Sequence, residues 1–113
     1  MKILAADIGG TWTWNRYPGA MTDSESYYYC LTFSKELLQE WQWSRRYPDW
    51  KETHSYFHFV ADKCDMWPHI QPNTEIVDAA YQQDSGHWKV TTADGKSHPC
   101  KYFISAMGMI SQP

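Results

Sequence analysis

The residues best suited to chemistry lie in one stretch near the start of the chain, GGTWTWNRYPGA, from Gly9 to Ala20. Gly9 and Gly10 let backbone come close to a ligand or to another chain segment, because neither carries a side chain. Beside them, Trp12 and Trp14 offer flat rings, and Tyr17-Pro18-Gly19 stiffens the exit. The combination suits a flat, partly apolar ligand. The glycines admit a phosphate or ribityl chain, and the indoles flank a planar ring system. A glycine pair alone is more often a tight turn, and a tryptophan in a turn is more often core; their conjunction points to binding. Just beyond lie Asp23 and Glu25, near Tyr27, Tyr28 and Tyr29. A carboxylate among rings is a candidate for catalysis or for pairing an arginine, although a surface acid or a helix cap is the commoner role.

Other chemistry-bearing groups carry less. His54 and His58 have the i, i+4 spacing of metal ligands, and Asp62 extends the row. The row falls on the polar face of an amphipathic helix, and no Glu follows the first His as in HExxH. A solvated face is therefore expected there, and no metal site is assigned. Cys30, Cys64 and Cys100 are far apart and odd in number. They have no metal-ligand spacing, make no disulfide framework and fit a reducing compartment. There is neither a nucleophile elbow nor a GxGxxG turn.

These groups must be positioned by a short list of elements. Residues 2–6 read as the end of a buried strand. The Gly9–Ala20 stretch is too irregular for a helix, and the polar-aromatic run after it, to Phe33, has no clear period. Residues 34–41 read as a short helix with Ser34 as N-cap and Glu36 in the first turn. A second helix runs from about Trp50 to Cys64, with Asp49 and Glu52 at capping-box spacing. At about 100° per residue, Thr53, Tyr56, Phe57, Val60 and Cys64 share one face, with Lys51, His54, His58, Asp62 and Asp65 opposite. After a Pro-rich break, 74–81, 87–92 and 101–106 read as strands. Asp84-Ser85-Gly86 and Ala93-Asp94-Gly95 supply the turns of an antiparallel three-stranded meander. The first strand lacks a parallel neighbour, so the chain is expected to be an internal piece of a larger domain.

Composition narrows the class. The 113 residues suffice for one small domain. Aromatic residues make up 17%, including seven Trp and eight Tyr, enough ring surface to disfavour disorder. The net charge of −3 is spread with both signs in every third of the chain, so no basic stripe exists to track nucleic acid. No apolar run approaches the roughly 18 residues of a membrane span, and the start is too short for a signal peptide. A soluble cytoplasmic protein with no membrane partner is the expectation.

GGTWTWNRYPGAMTDSES closely resembles the segment after the first dinucleotide-binding strand of Baeyer–Villiger monooxygenases, relatives of the flavin-containing monooxygenases. The likeness continues through YCLTFSKELLQEWQWSRRYP, through FVADKCD and the meander, and into AMGMISQP. It implies an α/β flavoprotein with two dinucleotide-binding domains, of which this chain is an incomplete FAD domain. In that frame 1–8 is a strand end, 9–33 a flavin-contacting loop, 34–65 helical, 74–106 the meander and 107–113 the return to the FAD domain. The NADPH domain is outside it. Such enzymes use FAD, NADPH and dioxygen to oxygenate a small ketone through a flavin C4a-peroxide, giving an ester or lactone. The flavin carries the hard chemistry, while the protein orients groups and excludes water.

The resemblance also implies roles. Thr11, Trp12 and Trp14 lie along FAD, with Gly9 and Gly10 letting backbone approach. Asp23 matches the carboxylate that pairs with the family's catalytic arginine beside the flavin. Tyr29 matches a flavin-contacting tyrosine, and Ile76 a residue whose backbone meets the adenine. Ala106 and Gly108 fit the family's Ala-Thr-Gly stretch. There are departures: Met21-Thr22 stands where the family has Arg-Cys, Thr13 where it has Tyr, and Met107 where it has Thr. The ribose-binding acid should lie near Ile3 or Leu4, neither of which is acidic. Without the phosphate-binding turn, the chain alone is expected to bind FAD poorly and to show no monooxygenase activity. Two other readings stand beside this one: an N- or S-oxygenating flavin monooxygenase relative, and a non-catalytic remnant or interaction module prone to self-association.

Overall fold

The computed structural model describes residues 7–108. Their contacts divide them into two units, Ile8–His69 and, together with Asp7, residues 70–108. The expected strand over 2–6 and the last residues of the expected return, 109–113, lie outside the described residues.

The first unit is helical. Its elements are α1 (Thr11–Trp14), α2 (Ser26–Tyr29), α3 (Lys35–Glu40), α4 (Trp50–Lys63) and a 3-10 turn, Trp67–His69. The two longer helices start where local signals place them. Ser34 Oγ accepts the Leu37 N–H at 3.4 Å, and Asp49 Oδ1 accepts the Glu52 N–H at 3.0 Å. The capping box at α4 is only half used for capping. The Glu52 carboxylate accepts instead from the Ser44 N–H (2.5 Å) and Ser44 Oγ (2.7 Å), pinning the incoming loop to the helix. At the other end Met66 N–H reaches Ala61 O (2.9 Å) and Asp65 N–H reaches Asp62 O (3.2 Å), the two bonds of a Schellman motif. Asp65 takes the left-handed position, φ 48°, that glycine usually fills.

The buried residues of α4 are Thr53, Tyr56, Val60 and Ala61. Phe57 is half-buried and Cys64 exposed, so the core face is turned from the expected one toward Ala61. Leu37, Tyr56 and Val60 form the core, with Leu31, Trp41, Trp43, Phe59 and Met66 packed around them. Ring centroids of Trp41 and Trp43 lie 5.4 and 4.8 Å from that of Tyr56. The Tyr56 hydroxyl accepts the Leu31 N–H at 2.8 Å, and Trp43 Nε1–H donates to Cys30 Sγ at 3.2 Å. Both bonds tie the end of α2 to the core.

The second unit contains β1 (Ile76–Gln82), β2 (His87–Thr92) and β3 (Ser97–Cys100), antiparallel in the order β1-β2-β3. The two expected turns form, with Gly86 and Gly95 at φ 66° and 81°. The third strand does not lie over 101–106. The turn at Ala93–Gly95 is tight, with Gly95 N–H on Thr92 O at 2.8 Å and Thr92 N–H on Lys96 O at 3.0 Å. Pairing therefore resumes at once, Thr91 with Ser97, and ends at Trp88 with Cys100, near the start of β2. No partner length remains for 101–106. Pro99, which cannot donate, is tolerated because β3 is an edge strand. Of the apolar residues that suggested the later strand, Tyr102 and Ile104 are exposed, and Phe103 packs 5.5 Å from Trp88.

Candidate functional site

The Gly9–Ala20 stretch is not wholly irregular: Thr11–Trp14 form one α-turn. The turn is held from outside. Thr13 Oγ1 donates to Ile8 O at 2.5 Å, and Trp12 N–H and Thr13 N–H donate to Gly9 O and Gly10 O at 3.0 Å. Arg16 Nε–H donates to Thr13 O at 2.7 Å, while its guanidinium lies 5.5 Å from the Trp50 ring. Both glycines have positive φ, 120° at Gly9 and 53° at Gly10, but they differ in what surrounds them. A side chain at Gly9 would meet Thr13 Oγ1 at 2.8 Å and His54 Cδ2 at 2.9 Å, so its space is filled from within the unit. At Gly10 nothing lies within 4 Å. Backbone is thus open to approach at Gly10, while at Gly9 it is closely approached by His54 and Thr13.

The two indoles also differ. Trp12 is half-buried and meets Tyr29 edge-on, with centroids 6.2 Å apart at 67°. Trp14 is 59% exposed. Glycine backbone, a braced ring and an exposed ring thus stand within one turn, with Tyr29 of α2 against Trp12.

Asp23 is carried by a segment built in another way. Residues 20–26 run antiparallel to 46–50: Trp50 N–H bonds Ala20 O (2.9 Å), Thr22 N–H bonds Pro48 O (2.9 Å) and Ser26 N–H bonds Arg46 O (2.7 Å). Residues 23–25 bulge out of this ladder. The buried Thr22 hydroxyl donates to Ser24 O at 2.8 Å and closes the bulge, leaving Asp23 exposed at its apex. Glu25 pairs with Arg46 on the opposing segment. That guanidinium holds the Glu25 carboxyl below the usual range, and the carboxylate in turn raises Arg46. Tyr27 is pushed up to about 12, first by its hydrogen bond with Tyr28, then by burial and by Glu25. Neither Thr22 nor Arg46 stands out as a site residue in the sequence; the departure from the family pattern at 21–22 is a signal for Thr22 alone.

His54 and His58 are half-buried, not on a solvated face. Their ring centroids are 4.7 Å apart at 49°. His58 lies 5.3 Å from the Trp67 ring, and Trp67 Nε1–H donates to Asp62 Oδ1 at 2.6 Å. His54, Ser55, His58, Phe59 and Asp62 line an open depression of about 440 Å³. The three cysteines are free. In the second unit Ile76 begins β1, and Ala106 and Gly108 are exposed, Gly108 with φ 78° and open space around it. No helix among the described residues is long and apolar enough to cross a membrane.

No family model matches the chain. It is 42% identical over 109 residues to an acetone monooxygenase (methyl acetate-forming) from Gordonia sp. strain TY-5, covering 96% of this chain and 20% of that protein. It is 41% identical over 107 residues to a Baeyer–Villiger monooxygenase from Pseudooceanicola batsensis, covering 95% of this chain and 20% of that one. An oxidized steroid monooxygenase bound to NADP superposes with a TM-score of 0.94 at 37% identity, over 99% of this chain and 22% of that structure. The chain thus spans about a fifth of the length of the relatives it matches. Its fold is that of a partial FAD domain from monooxygenases with two dinucleotide-binding domains. Within that class the relatives it matches are Baeyer–Villiger and related monooxygenases.

Proposed function

We propose that this chain forms one wall of the flavin site in an FAD- and NADPH-dependent monooxygenase that uses dioxygen to oxygenate a small ketone, giving an ester or lactone. The observation that carries this reading is the open backbone at Gly10 beside the braced Trp12 and the exposed Trp14, in a chain 42% identical to an acetone monooxygenase. FAD, when bound, supplies the hydride-accepting and oxygen-transfer chemistry. The residues here bind and orient. Gly10 and Thr11 offer backbone to the cofactor. Trp12, fixed by Tyr29, and Trp14 present ring faces to it. Gly9 serves the site indirectly, by letting His54 and Thr13 pack beneath the turn. The Asp23 carboxylate, at the apex of its braced bulge, holds the family's arginine in place beside the flavin. Ile76 offers backbone to the adenine, and Ala106 and Gly108 return the chain to the FAD domain.

The reading is tested by exchanging residues 7–108 for the matching segment of a cyclohexanone monooxygenase. The exchanged enzyme is expected to load FAD and to oxidise NADPH in a ketone-dependent way, with ester or lactone as product. Trp12→Ala should weaken flavin retention. Asp23→Asn should lower turnover with flavin loading intact. If the exchanged enzyme is active and neither substitution changes flavin retention or turnover, these assignments fail.

A further inference from the structure

We propose that His54 and His58 form a chelating site for a borderline first-row transition-metal cation, Zn²⁺, Ni²⁺ or Cu²⁺, on the flank of α4. The proposal does not rest on the flavin reading. It starts from geometry. Residues four apart on a helix stand one turn apart on the same side. Here the two imidazoles face each other with centroids 4.7 Å apart, and their candidate ligand nitrogens lie within 4.8 Å. Two metal–nitrogen bonds of about 2.0–2.1 Å span up to about 4.2 Å, so a modest side-chain rotation closes the chelate.

The surroundings favour capture. Both histidines are half-buried, with His54 against Gly9 and His58 against Trp67, so their side chains have already lost much of the freedom that chelation would cost. Both residues line a depression that is open on one side. Asp62 lines the same depression, with its carboxylate oriented by Trp67 Nε1–H. Its negative charge favours a cation in the outer shell. Two imidazole nitrogens select Zn²⁺, Ni²⁺ and Cu²⁺ over the hard cations Mg²⁺ and Ca²⁺, which prefer oxygen.

The test is calorimetric titration of the chain with NiCl₂, ZnCl₂ and MgCl₂. One saturable equivalent is expected for Ni²⁺ and for Zn²⁺, and none for Mg²⁺. His54→Asn and His58→Asn should each weaken Ni²⁺ binding on the order of tenfold or more, because each removes one of two chelating arms. His87→Asn, in β2, should leave it unchanged. His54 packs under the Gly9 turn, so its variant can perturb the fold. The unmodified chain is therefore also titrated with Cu²⁺ and followed by NMR. Paramagnetic broadening centred on residues 54–58 supports the site. Broadening centred elsewhere, no saturable Ni²⁺ or Zn²⁺ binding, or full-strength binding in both histidine variants overturns it.

Discussion

Replacing Tyr56 by phenylalanine isolates the bond that fixes the aromatic wall of the candidate site to the core. Tyr56 is 1% exposed, and its hydroxyl accepts the Leu31 N–H at 2.8 Å. Leu31 lies two residues beyond Tyr29, the ring against which Trp12 rests. The substitution Tyr56→Phe keeps the ring contacts with Trp41, Trp43 and Phe59 and removes only the acceptor. A partly buried amide left without its partner costs about 1–3 kcal/mol. Taking about 2 kcal/mol, and a urea slope of about 2 kcal/mol per molar, the midpoint falls by about 1 M. Urea unfolding followed by tryptophan fluorescence measures this at neutral pH. The alkaline limb checks the burial of the hydroxyl and not the bond, because the Leu31 N–H favours the phenolate and acts in the opposite sense. Burial raises the Tyr56 phenol above its ordinary value. The unfolded chain therefore loses this proton first. The contribution of the neutral phenol is fully present below about pH 10 and falls as the pH climbs beyond it. The variant has no such proton, so the two stability curves should converge above pH 10. Tyr27 titrates in both chains and cancels from the difference. Hydrogen exchange at the Leu31 amide should also quicken in the variant. A stability loss below about 0.3 kcal/mol with unchanged exchange at Leu31 would refute the anchoring role.

The two glycines should respond differently to alanine. Gly9→Ala drives a methyl into Thr13 and His54 on a backbone already at positive φ and should cost about 3–5 kcal/mol; Gly10→Ala meets open space and should cost about 1–3 kcal/mol, for a backbone at φ 53° and ψ −117° that suits glycine. Thermal melts order the two, and the reverse order would contradict the packing described. Asp49→Ala removes the α4 cap and should cost about 1 kcal/mol in the same assay. Asp94 is held well below the usual carboxylate range, by Lys96 first, then by the Thr92 hydroxyl and the Lys96 N–H. Its contribution is present above about pH 4 and is lost as the pH falls through the depressed value, so Asp94→Asn should remove part of the acid dependence of the 92–96 turn. Amide shifts of Gly95 and Lys96 report it: they should stay flat through about pH 4, where an ordinary Asp titrates, and move only at lower pH.

What could be read from the sequence follows from how far each determinant reaches along the chain. Ser34 and Asp49 act on amides three residues away, and the turns at Gly86 and Gly95 are set by the backbone freedom of single residues; all four were legible. The third strand was not, because its length is decided by where β2 begins, not by the apolar alternation in 101–106. Glu52 carried the right spacing for a reciprocal cap, yet Ser44 competes for its carboxylate from eight residues back. The candidate site divides in the same way. Its reactive types, the glycines, the indoles and Asp23, could be picked out by kind. Their aim depends on pairs far apart in the chain: His54 against Gly9, Leu31 on Tyr56, and the 20–26 ladder on 46–50. Thr22 and Arg46 act mainly by fixing backbone, so their residue types carry no chemical signal of their own. A substitution at either should therefore act on Asp23 through the shape of its bulge and leave the carboxylate itself in place.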